Sequence, residues 1–76
     1  MNIKAFYVTY GPRENARTVE VALNGVSADE RLTPKLAERA ALVGAGHRSG
    51  VTVTDGKVAY RLYANTHRKV AVEYND

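Results

Sequence analysis

Only one segment of this 76-residue chain has its apolar residues at helical spacing. These residues recur every three or four positions over residues 34–43. Thr33-Pro34 suits the start of a helix, and Gly44 suits its end. The spacing predicts a helix over residues 34–43 with Gly44 as the stop. Because one short helix covers only one face of a sheet, part of the apolar surface must stay exposed or meet a partner.

The N-terminal third has the pattern of a β-hairpin. β-Branched and aromatic residues fill residues 3–10, and apolar and polar residues alternate over 17–23. Gly11-Pro12 marks the turn between them. Residues 3–10 are apolar on both sides, which is typical of a strand buried on both faces or of an edge strand offering Tyr7 and Tyr10 to a partner. A homodimer through this strand or its face is therefore one expectation.

The C-terminal third predicts two more hairpins. Asp55-Gly56 is the signal of a two-residue turn, and a three-residue loop at Asn65-Thr66-His67 keeps the apolar residues of all three strands on one face. The predicted opposite pairs are Val53 with Val58, Val51 with Tyr60, Leu62 with Val70, Tyr60 with Val72, and Val58 with Tyr74.

The predicted order is ββαβββ, an α+β fold in which one helix covers one face of an antiparallel sheet. We expect a single domain over residues 1–76. In element order and length the chain resembles β-grasp domains such as the ubiquitin-like proteins. Cysteine is absent, the carboxylates are scattered and no HxxxH occurs, so neither a metal site nor a cofactor is expected. No apolar run approaches the roughly 20 residues that span a bilayer, which favours a cytoplasmic protein without a membrane contact.

Positive charge clusters around an aromatic ring on the face opposite the predicted core. The net charge is only +3, from 11 basic and 8 acidic residues, but the predicted register gathers much of it near Tyr63. The residues expected to bind a macromolecule are Lys57, Arg61, Tyr63, Arg68, Lys69, His47 and Arg48. Cations around an exposed ring suit single-stranded nucleic acid, whose phosphates meet the charges while a base stacks on the ring. They also suit an acidic protein surface.

The sequence therefore predicts a small non-enzymatic binding module. Its partner is either a nucleic acid or a nucleic-acid-processing protein complex. In size and shape the chain is similar to compact phage-encoded inhibitors such as anti-CRISPR proteins. The alternative is a small ribonuclease in which His47 and His67 perform acid–base chemistry.

Overall fold

The computed structural model describes the backbone of residues 2–65 and 68–75, and side chains from Asn2 to Tyr63. In chain order the elements are β1 (Ile3–Tyr10), one 3-10 turn (Arg13–Asn15), β2 (Arg17–Asn24), α1 (Pro34–Ala45), β3 (Val51–Thr54), β4 (Val58–Asn65) and β5 (Arg68–Asn75). This order confirms the predicted ββαβββ arrangement and the α+β class.

The five strands form one sheet in the order β2-β1-β3-β4-β5. β2 and β3 flank β1, and both are antiparallel to it, so the connection between them crosses over β1. α1 forms that connection and packs over β2, β1 and β3. The outward side of the sheet, which we call the open face, is covered by no element of the described chain. Its described residues are Ile3, Ala5, Tyr7, Thr9, Thr18, Glu20, Ala22, Asn24, Thr52, Thr54, Ala59, Arg61 and Tyr63.

The core lies between α1 and the sheet as one cluster of apolar side chains. Phe6 and Val8 of β1 are completely buried, and so is Ala40 of the helix. The predicted core residues of β3 and β4 are all buried, namely Val51, Val53, Val58, Tyr60 and Leu62. Each fully buried large apolar side chain stabilises the fold by about 1.5–3 kcal/mol.

The helix begins as predicted but ends later. The Leu36 N–H donates to Thr33 Oγ1 at 3.3 Å, so Thr33 is the N-cap. α1 continues to Ala45, and Gly46 terminates it with a left-handed φ of 66°. The Gly46 N–H donates to the carbonyl of Leu42 at 3.1 Å. The stop predicted at Gly44 is therefore wrong by two residues.

Gly44 lies inside the helix because α1 is closest to the sheet at that point. A Cβ on Gly44 would lie 2.9 Å from Val21 Cγ2, 3.0 Å from Val19 Cγ2 and 3.1 Å from Val8 Cβ. The helix could not sit this near β1 and β2 with a larger residue at position 44. Gly44 therefore sets the distance between the two layers of the fold.

The β3–β4 turn is wider than the Asp55-Gly56 signal predicts. Val53 pairs with Tyr60 and not with Val58, so the predicted register is wrong by two residues. The side chain of Asp55 accepts from two backbone N–H groups, and Thr54 Oγ1 accepts from the Gly56 N–H at 3.0 Å, which stabilises the loop of residues 55–57. Because the shift is even, the apolar residues still lie on the core face.

The β4–β5 register differs from the prediction by one residue. Asn65 pairs with Arg68, which leaves a two-residue loop, and Leu62 pairs with Ala71 instead of Val70. The predicted partners Val70, Val72 and Tyr74 pair instead with Tyr63, Arg61 and Ala59. The helix packs over β2, β1 and β3 and contacts β4 little. Packing against the helix therefore hardly constrains the register of β5. Hairpin geometry, which favours two-residue loops, then decides the register.

Two structural alternatives drawn from the sequence do not hold. The strand pairs are antiparallel, so the sheet lacks the parallel pair of a β-grasp domain. β1 is neither an edge strand nor buried on both faces. It lies between β2 and β3, and its Tyr7 is 45% exposed.

Gly44→Ala is expected to destabilise the protein by about 1–3 kcal/mol, because the added methyl group overlaps the valines of β1 and β2. Alanine gains about 1 kcal/mol of helix propensity over glycine, which opposes only part of this loss. Chemical denaturation measures the difference. The exposed Glu38→Ala on the same helix is the control and should change stability by less than about 0.5 kcal/mol. A Gly44→Ala variant more stable than the wild type would contradict the close approach.

Candidate macromolecule-binding site

Three arginines lie at one end of the sheet. β1 ends where β2 and β3 begin, so the β1–β2 turn and the α1–β3 loop are neighbours. Arg13 lies in the turn, Arg17 starts β2 and Arg48 lies in the loop, and all three side chains are exposed. Glu14 is the one acidic residue in these two loops. We call Arg13, Arg17 and Arg48 the arginine end.

Arg48 is held in position by two neighbours. Its Nη1 donates to the carbonyl of Ala45 at 2.8 Å, and its guanidinium carbon lies 4.9 Å from the centre of the Tyr10 ring. The Tyr10 ring in turn packs against the core. Ala45 is the last residue of α1, where the exposed carbonyls favour a cation. The guanidinium is therefore oriented before any ligand arrives.

A groove of about 260 Å³ lies between the end of β1 and the start of β3. Its lining includes the side chains of Arg13 and Arg61, the hydroxyl-bearing Thr9 and Thr52, and no acidic residue. Guanidinium and hydroxyl donors without a nearby carboxylate suit an anionic group such as a phosphate.

Tyr63 lies on the open face beside this end. Its side chain is 40% exposed, and the guanidinium carbon of Arg61 lies 5.6 Å from the ring centre. An exposed ring next to guanidinium groups can stack on a base while the cations contact phosphates.

The opposite end of the sheet holds paired charges. Lys4 Nζ lies 3.3 Å from Asp55 Oδ2 and also donates to the carbonyl of Glu30. Asp55 Oδ1 accepts from the N–H groups of Lys57 and Val58, each at 3.0 Å. A groove of about 370 Å³ lies here, and its lining balances three basic residues against three acidic ones: Lys4, Arg31, Lys57, Asp29, Glu30 and Asp55. This end joins the start of β1 to the β3–β4 turn, and its balanced charge gives it no net attraction for an anion.

The pKa of Asp55 lies below its ordinary value. Burial by itself raises the pKa of this carboxyl group, but hydrogen bonds from the Val58 and Lys57 amides and the nearby Lys4 ammonium outweigh it. A depressed folded-state pKa stabilises the fold above the unfolded pKa, and this stabilisation is lost as the pH falls through the folded pKa.

The structure separates the residues that the sequence grouped around Tyr63. Lys57 lies in the β3–β4 turn, about 20 Å from Tyr63 along β4. Lys69 pairs with Ala64 and not with Tyr63, so its predicted place opposite the ring is wrong. Arg68 pairs with Asn65 at the β4–β5 turn. The side chains of Arg68 and Lys69 lie outside the described residues, and their binding roles stay predictions.

The two aromatic residues predicted for an interface lie on different sides of the sheet. Tyr7 is exposed on the open face, whereas Tyr10 faces the helix side and is half-buried beneath Arg48. Tyr7 and Tyr10 therefore do not form one surface.

The ribonuclease alternative depends on two histidines. His47 is exposed in the α1–β3 loop, next to Arg48. His67 lies outside the described residues, so the pair stays a prediction. Within the described ranges, no group of three histidine, aspartate or glutamate side chains is placed to hold a metal ion.

Arg13 and Arg17 are site residues that the sequence analysis missed. The signal depends on topology, because the turn after β1 and the loop before β3 share one end of the sheet only when β3 runs antiparallel to β1. Counting charges by the end of the sheet, and not along each strand, then places Arg13 and Arg17 at the same end as Arg48.

Comparison of the chain with known protein families, curated proteins and solved structures gives no match. In the part of the chain that the structure describes, no helix has the length and apolarity needed to cross a membrane.

Asp55→Asn is expected to lower the free energy of unfolding by about 1–2 kcal/mol at neutral pH, because it removes the charge that Lys4 and two amides bind. Thermal or chemical unfolding measured between neutral pH and about pH 2 tests this. The difference between wild type and variant should shrink as the pH falls from the ordinary carboxyl range through the lowered folded-state pKa, where the wild-type carboxyl group takes up its proton. A difference that stays constant across this range would contradict the role of the charge.

Proposed function

We propose that the protein is a non-enzymatic binding module that holds single-stranded nucleic acid at its arginine end. One observation carries the proposal. The fold places Arg13, Arg17 and Arg48 at one end of the sheet, on the β1–β2 hairpin and the α1–β3 loop, which are far apart in the sequence. Glu14 is the one acidic residue of the two connecting loops. Each phosphate bound by an arginine releases counterions, which drives binding to a polyanion.

The type of cation supports a phosphate ligand. The described cations at this end, including Arg61 at its border, are arginines. The lysines with described side chains lie elsewhere: Lys4 and Lys57 at the opposite end and Lys35 at the start of α1. A planar guanidinium donates two parallel hydrogen bonds to a phosphate, whereas an ammonium acts as a compact point charge.

The surroundings favour a single strand over a duplex. Tyr63 offers an exposed ring for stacking, and the bases of a single strand are free to stack on it. The one helix is short, and its middle carries the oppositely charged Glu38 and Arg39, so it is a poor reader of a duplex groove.

A protein partner is the second candidate, and one observation favours it. Leu42 and Val43 are exposed near the end of α1, with Val43 68% exposed. Two apolar side chains close to the arginine end would suit an acidic protein surface with an apolar centre, such as part of a nucleic-acid-processing complex. A pull-down from the native host with the wild type and with Val43→Glu tests this candidate. The candidate requires that the wild type capture a specific protein that the variant does not capture.

Replacing Arg13 and Arg17 together by alanine is expected to weaken binding of a short single-stranded oligonucleotide at low salt by about ten-fold or more. It should also flatten the salt dependence, because each lost phosphate contact removes about 0.7 from the slope of log K against log salt. Fluorescence anisotropy at several salt concentrations measures both quantities.

The matched control is Lys35→Ala with Arg39→Ala, which removes the same charge from the exposed side of α1. The control should retain most of the affinity and the full salt slope. Equal losses in the two double variants would mean that net charge alone drives binding. No binding of the wild type at low salt would overturn the proposed function.

A further inference from the structure

The open face is nearly free of charge. Of its described residues, only Glu20 and Arg61 carry a charge, and the rest are threonine, alanine, tyrosine, isoleucine and asparagine. The centre of a protein interface is depleted of charge, and the described part of the open face shares this property.

Two large apolar side chains of β1 are exposed on this face. Tyr7 is 45% exposed and has β2 and β3 on its two sides, and Ile3 is 47% exposed at the start of β1, where only β2 pairs with it. Between them, Ala5 pairs with Ala22 of β2, so no long side chain rises there. A flat apolar sheet surface packs well against a second sheet at about 10 Å.

We propose that the open face binds the open face of a second copy of this chain. The four strands β2, β1, β3 and β4, about 4.8 Å apart and up to eight residues long, give an overlap of roughly 19 by 26 Å. Two copies would then bury about 1,000 Å², which is the threshold for a specific interface and fits a dimer that dissociates on dilution. A second copy offers a face of the same size and the same low charge.

The two charges on the face make it complementary to itself. Glu20 on β2 pairs with Tyr7, and Arg61 on β4 pairs with Thr52, so the charges lie on opposite sides of the β1–β3 pair. A two-fold axis parallel to the strands, passing between β1 and β3, places β2 of one copy over β4 of the other. Glu20 then lies over Ala59 of the second copy, and Arg61 of that copy is two residues away along the strand, about 7 Å.

The symmetry forms this Glu20–Arg61 ion pair twice, once on each side of the axis. Because the axis runs along the strands, the arginine ends of both copies lie at the same end of the dimer. Arg13, Arg17 and Arg48 stay outside the interface. The dimer rests on the open face and not on the proposed function, but Arg61 and Tyr63 belong to both surfaces. Dimerisation and stacking of a base on Tyr63 therefore compete, and the two are measured separately.

A charge swap tests the proposal by sedimentation or light scattering over a range of protein concentrations. The wild type should be a dimer at high concentration and dissociate on dilution. Glu20→Arg alone and Arg61→Glu alone should each weaken the dimer at least ten-fold, because each puts like charges against each other. The double variant with both changes should dimerise again, because the pair is restored with its signs exchanged.

Two further variants separate the interface from the fold. Tyr7→Glu places a charge at the centre of the open face and should give a monomer that keeps the circular dichroism spectrum of the wild type. Val43→Glu places the same charge on the exposed helix and should leave the dimer intact. A wild type that stays monomeric up to about 1 mM, or single swap variants as dimeric as the wild type, would overturn the proposal. A double variant that remains monomeric would overturn the two-fold arrangement.

Discussion

The close contact between α1 and the sheet at Gly44 is the constraint on which the rest of the structure depends. One helix of twelve residues must cover an apolar sheet surface, and it does so by lying directly on the valines of β1 and β2. This position fixes the core between the helix and β2, β1 and β3. It also leaves the other side of the sheet uncovered and brings the end of the helix to the start of β3. The open face and the place of Arg48 both follow from it.

A small net charge conceals an uneven distribution. At one end of the sheet, Lys4 and Asp55 neutralise each other and hold the β3–β4 turn. At the other end, Arg13, Arg17 and Arg48 are exposed, and Arg48 donates to the carbonyl of Ala45 at the end of α1. Charges that are already paired contribute to stability, and charges that project into solvent are available to a ligand. The chemistry of each end therefore indicates its role.

Much of the fold could be predicted from the sequence because local signals agreed with the packing. Thr33 caps the helix, and alternation places Val51 and Val53 in the core, as their patterns predict. The prediction was wrong where a tertiary contact or the geometry of a turn determined the local structure. Gly44 is a point of close packing and not a helix stop, which no local pattern reveals. The Asp55 side chain widens a turn that the Asp-Gly signal makes tight.

The site was less predictable than the fold for the same physical reason. Which cations lie together depends on the register and on the order of the strands. The predicted β4–β5 register was wrong by one residue and put Lys69 opposite Tyr63, whereas Lys69 pairs with Ala64. Arg61 and Tyr63 were accessible to sequence reasoning because they lie two residues apart on one strand. Arg13 and Arg48 come together only through the crossover that puts β3 beside β1.

Nuclear magnetic resonance with isotope-labelled protein tests directly whether the arginine end binds a single strand. A short single-stranded oligonucleotide is added, and the change in the backbone amide signal of each residue is followed. If the arginine end binds the strand, the largest changes fall in the β1–β2 turn and the α1–β3 loop, around Arg13, Arg17 and Arg48. The amides of Lys4, Asp55 and Lys57 should change little. Changes centred on the end of the sheet that holds Lys4 and Asp55, or no change at low salt, would contradict binding at the arginine end.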